Sequence, residues 1–110
     1  MSDKYKNDEG VVVNLEVINL LRKIITSLSC IEKTTSDVNL KNEACEYLID
    51  LINQYKKIIE SNDIKEIKFK YTEEDLIDFS YRCIENKEND FVKLGEDIQF
   101  GIIELTKLLK

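Results

Sequence analysis

Apolar residues recur along this chain at helical spacing in four separate stretches. In the first, Val17, Leu21, Ile24 and Leu28 fall on one face, and Ile18 and Ile25 widen it. That pattern predicts a helix over roughly 12–32, with Asn14 as an N-cap accepting from backbone amides one turn on. Val11, Val12 and Val13 also suit a short strand by β propensity, which is the alternative for that segment. In the second stretch Ala44, Leu48, Leu51, Tyr55 and Ile58 step by four, three, four and three, and Leu40, Ile52 and Ile59 broaden the seam. The predicted helix runs over 38–61. It follows the cap-forming loop Thr34-Thr35-Ser36-Asp37 and ends at Ser61-Asn62-Asp63.

The third helix has the clearest start signal. The Thr72 hydroxyl can reach the amide three residues on, and Asp75 can reach back as a shortened capping box. Glu73, Glu74 and Asp75 suit the positive end of the helix dipole. Leu76, Phe79, Ser80 and Cys83 line one face, with Ile77 and Ile84 beside them, predicting a helix over roughly 73–87. After a turn at 86–90, with Asn89 or Asp90 as the cap, Phe91, Leu94, Ile98, Ile102, Leu105 and Leu109 define the fourth helix. Gly95 and Gly101 lie inside it and mark close approach of a neighbouring helix, or a bend near Gly101. Between the second and third helices, Ile67, Phe69 and Tyr71 alternate with Lys68 and Lys70 at strand spacing. A lone strand has no partner, so 64–71 is expected as an extended connector. Four amphipathic helices with short connections predict an all-α fold, an antiparallel bundle. Residues 1–10 are expected as a flexible tail ahead of a single helical domain over 11–110.

Composition agrees with that architecture. The chain has 110 residues, 43% hydrophobic, with no proline and three glycines, so little interrupts a helix. No apolar run approaches the roughly 20 residues of a membrane span, and the polar N-terminus is unlike a signal peptide. The chain is therefore expected in the cytoplasm, with no membrane partner.

Candidate chemistry is sparse. Histidine is absent, which excludes Ser–His and Cys–His nucleophile systems within the chain and removes the commonest metal ligand. Cys30, Cys45 and Cys83 form no CxxC pair and are expected as reduced thiols. No glycine loop suits phosphate binding. An all-carboxylate magnesium site from Asp75 and Asp78, or Glu74 and Asp78, lacks companion acids on a second helix. No enzymatic activity, metal or cofactor is expected. Lysines 65, 68 and 70 alternate with aromatics, but the overall charge is −6 and acids adjoin them, so direct nucleic-acid binding is not expected.

The charge is uneven. Residues 72–104 carry ten acids against three bases, more net negative charge than the whole chain. On the third helix Glu74, Asp78, Tyr81 and Glu85 share one stripe, and Arg82, four residues after Asp78, is expected to relieve part of its charge. Glu88 and Asp90 extend the field into the turn, and Glu96 and Asp97 into the fourth helix. A rigid tyrosine rimmed by acids suits a basic protein partner. In size, charge and helical content the chain resembles the immunity proteins of bacterial toxin pairs, colicin-type and contact-inhibition alike. That resemblance implies an inhibitor covering the substrate surface of a basic, nuclease-type toxin. The partner-binding residues would be Glu74, Asp78, Tyr81, Glu85, Glu88, Asp90 and Asp97. The alternative is a phage- or virus-encoded helical inhibitor, or a regulatory interaction module, that binds through an apolar groove. Monomer and homodimer both remain open.

Overall fold

A computed structural model describes the backbone of residues 2–86 and 90–109, with side chains from Asn14 onward. The described residues form four α-helices: α1 Ser2–Thr34, α2 Val38–Ser61, α3 Glu73–Ile84 and α4 Val92–Leu109. One 3-10 turn lies at Ile64–Glu66. α1 packs against α2 and α4, and α3 packs against α4, so the architecture is the all-α bundle expected. The molecule measures 56 × 20 × 20 Å. The 33 residues of α1, about 50 Å of helix at 1.5 Å per residue, set that length.

The N-terminal half of α1 departs from expectation. α1 begins at Ser2 rather than near residue 12, and Val11, Val12 and Val13, which could have formed a strand, are helical. No proline interrupts the run, and Gly10 costs a helix only about 1 kcal/mol. Asn14 is therefore not an N-cap. It lies inside α1, buried, and its amide nitrogen donates to the Asn62 carbonyl at 2.6 Å and to Asn62 Oδ1 at 2.9 Å. Asn62 terminates α2 in a left-handed conformation, φ 55°, which asparagine tolerates. Asn14 thus ties α1 to the end of its neighbour.

α2 is bounded as predicted, and Asp37 caps it through the amides of Asn39 and Leu40. Its buried stripe is rotated from the expected seam. Ile52 and Ile59 face solvent, whereas Tyr47, Asp50 and Gln54 are buried. The connector explains the rotation. Asp50 Oδ2 accepts from the Lys70 amide and Gln54 Oε1 from the Lys68 amide, each at 2.9 Å, and Gln54 Nε2 donates to Asp50 Oδ1. Two side chains of a helix thus supply the ladder that a partner strand would have supplied. Alternate amides are satisfied, and Ile67, Phe69 and Tyr71 pack against the core while Lys68 and Lys70 stay exposed.

Replacing Asp50 with alanine is expected to cost about 2 kcal/mol in denaturant unfolding, because it strips the acceptor from a partly buried amide. Exchange of the Lys68 and Lys70 amides should quicken with it. Asp78→Ala, on the exposed face, should stay within about 0.5 kcal/mol of the parent. Equal losses for the two variants would show that Asp50 does not hold the connector.

The connector runs back along α2, so Tyr71 reaches Glu46, and α3 continues the same course until Arg82 meets Glu43. The third leg of the bundle is thus half extended chain and half helix. α3 ends at Ile84, earlier than the expected 87, with Glu85 as its cap. α4 is continuous through Gly95 and Gly101, both buried, so neither marks a break. Its first turn closes from the Gly95 amide to the carbonyl of buried Phe91, at 2.8 Å. Asp90 is therefore not the capping residue, and Asn89 lies outside the described residues. Among the described residues no helix is long and apolar enough to cross a membrane.

Candidate functional site

The candidate face is built on α3. Thr72 and Asp75 form the predicted capping box, with both bonds at 3.1 Å, which fixes where the helix begins and hence the rotation of all that follows. Leu76, Phe79, Ser80 and Cys83 are buried. At 100° per residue, Glu74, Asp78, Tyr81 and Glu85 centre on the opposite side, and all four are exposed. Tyr81 is 54% exposed. Among the described residues no lysine or arginine lies within ion-pair distance of Glu74, Asp78 or Glu85.

Arg82 does not relieve Asp78 as the sequence suggested. It turns to the α2 flank and forms a fork-like pair with Glu43, Nη1 to Oε1 at 2.7 Å and Nη2 to Oε2 at 2.5 Å. The hydrogen bond to Glu43 holds its guanidinium above its ordinary pKa. The helix's own cation is thereby turned away from the acidic stripe. Like charges one turn apart repel by a few tenths of a kcal/mol, a standing cost on this face.

The remaining predicted residues divide. Asp90 is exposed in the turn before α4. Glu88 lies outside the described residues. Asp97 does not join the stripe: it stands on the α1 side of α4, 3.9 Å from Lys23, whose ammonium also sits 5.1 Å from the Phe100 ring centre. Asp97 is half-buried on the face of α4 turned toward α1, which charge counting cannot detect.

Other chemistry is structurally employed. Asp75 is spent in the capping box, which removes it from any magnesium pair. Among the described residues no group of three or more metal-ligating side chains converges. Cys30 and Cys45 are exposed; Cys83 is buried, and burial pushes its thiol up to about 12, so it carries no thiolate at neutral pH.

Sequence reasoning missed one feature beside the stripe. Where the extended connector replaces a helix, a half-open groove of about 250 Å³ remains between it, the first turn of α3 and the last turns of α4. Phe69, Tyr71 and Leu109 form its walls, Leu76, Ile102 and Leu105 its floor, and Glu73 its rim. The strand-spaced aromatics were the available signal, but only the packing reveals the space they leave. Comparison with protein-family models, curated proteins and solved structures finds no match, so the candidate face rests on the geometry above.

Proposed function

We propose that this chain is a small acidic binding protein that neutralises a basic protein partner, as an immunity protein neutralises a nuclease-type toxin in the cytoplasm. One observation carries the reading. Glu74, Asp78, Tyr81 and Glu85 share the outward face of a helix whose only arginine is paired elsewhere. Carboxylates around an exposed tyrosine, with no ion-pair partner among the described residues, favour cations from another molecule. They steer its approach, form charge-assisted bonds with lysine and arginine, and repel the nucleic acid such a partner would otherwise engage. The role is stoichiometric occlusion, which needs no catalytic group.

The test begins with the reading frame adjoining this chain's own in its native genome. Its product is expected to be a basic, toxic protein whose nuclease activity this chain suppresses. The combined variant Glu74→Gln, Asp78→Gln, Glu85→Gln should bind about tenfold to a hundredfold more weakly, since three exposed charge contacts contribute roughly 0.5–1 kcal/mol each. Its affinity should also fall less steeply with salt. Unchanged affinity and salt dependence in that variant would end this reading. The second reading, a helical inhibitor or regulatory module, is favoured by the apolar groove under α3. There the acids only solubilise, and affinity would barely respond to ionic strength.

A further inference from the structure

The groove and the acidic stripe share one helix turn. Glu73 lines the groove, and Glu74, the next residue, begins the stripe. At about 250 Å³ the groove lies below the roughly 300–1,000 Å³ typical of small-molecule sites, and suits one large side chain. Its floor is already desolvated core: Leu76, Ile102 and Leu105 are each at most 4% exposed. Its polar groups are few. The Thr106 hydroxyl is engaged with the Ile102 carbonyl at 2.8 Å, and the Tyr71 hydroxyl with Glu46 at 3.3 Å. Glu73 is the charge at the rim, with no cation in ion-pair range among the described residues.

We infer that this groove is an anchor pocket. It receives one bulky apolar side chain, aromatic or leucine-like, from a partner segment whose flanking lysines or arginines meet Glu73 on the rim and Glu74 and Asp78 beyond it. The inference rests on the reading of α3 as the face for a basic partner, and it names the partner's local chemistry. Charge complementarity selects the occupant, since an acidic or neutral segment would bring no counter-charge to the rim. Interfaces concentrate their energy in such desolvated central pockets, with the charged surround adding orientation and speed of encounter. The pocket exists because the connector, held by Asp50 and Gln54, is thinner than a helix.

The experiment uses the full chain, nitrogen-15 labelled, and four synthetic pentapeptides with blocked ends. These are a central tryptophan with two lysines on each side, the same with two glutamates on each side, and both with alanine at the centre. The lysine–tryptophan peptide is expected to shift the amide signals of Leu76, Ile102 and Leu105 together with those of the first turn of α3. Replacing its tryptophan with alanine, or its lysines with glutamates, should each weaken binding by about tenfold or more. Leu109→Arg and Thr106→Phe, at the end and edge of the groove, should block it while leaving the unfolding transition near that of the parent. Two separate variants guard against one of them misfolding.

Lysine peptides that shift only the α3 acids, alike with tryptophan or alanine, would overturn the pocket and leave the charge-led reading standing. Tryptophan peptides that fill the groove equally well with lysine or glutamate flanks would overturn the basic-partner chemistry and the proposed function with it. A lysine–tryptophan peptide that leaves the groove signals unmoved, or binds both blocked variants as well as the parent, would likewise overturn the pocket.

Discussion

Phe79→Ala is expected to destabilise the chain by about 3–5 kcal/mol, lowering the thermal midpoint by about 12–20 °C at roughly 4 °C per kcal/mol for a chain of this length. Phe79 is fully buried at the centre of α3. α2 and α3 approach each other little along the backbone, and aromatic rings close the gap. Phe79 meets Tyr47 edge to face, with ring centres 5.2 Å apart, and Tyr47 meets Tyr71 in the same manner at 4.8 Å. Truncation removes the transfer energy of the ring, leaves a cavity and takes away the end of that aromatic chain that belongs to α3. Because α3 carries the acidic stripe, amide exchange along Glu73–Ile84 should accelerate more than exchange in α1. Phe79→Leu keeps most of the volume and should lose less than half as much. A Phe79→Ala loss below about 1 kcal/mol, measured by denaturant unfolding, would mean that α3 does not dock through this ring.

Gly95→Val is expected to cost about 3 kcal/mol, the upper end for overpacking, even though valine suits a helix better than glycine. A Cβ on Gly95 would lie 2.6 Å from Ile84 Cγ1 and 2.7 Å from the Ser80 carbonyl oxygen. The carbonyl belongs to the backbone of α3 and cannot swing aside, so the whole helix must retreat. Buried Ser80, whose hydroxyl bonds to the Ile77 carbonyl at 2.6 Å, is the small residue that lets α4 come so near. Gly101→Ala provides the contrast. There the added carbon meets only the side chain of Ile24, at 2.5 and 2.9 Å, which can repack in part. Its cost should be the smaller of the two, partly offset by about 1 kcal/mol of regained helix propensity. If unfolding midpoints rank the two variants the other way round, the close contact lies along α1 rather than α3.

Periodicity between the capping residues Asp37 and Asn62 marked α2, and the capping box, a local device, marked the start of α3. The outward face of α3 followed from those two facts, since the buried stripe fixes the opposite one. Each of these features depends on neighbours within a few residues. Asn14 was misread because an asparagine near a helix start and an asparagine facing another helix's end look identical in one dimension. Asp50 and Gln54 were passed over as polar positions because their partners, the amides of Lys70 and Lys68, lie 20 and 14 residues away.

What the chain determined by itself was the set of helices, the acidic face of α3 and the absence of histidine chemistry, because propensity, capping and charge are written residue by residue. What only the tertiary structure decided was where those faces point and what they enclose. Arg82 leaves the acids for Glu43, Asp97 turns toward Lys23, and the connector opens a groove beside Glu73. Each outcome depends on which side chains long-range packing brings within a few ångströms, and spacing along the chain carries no record of that.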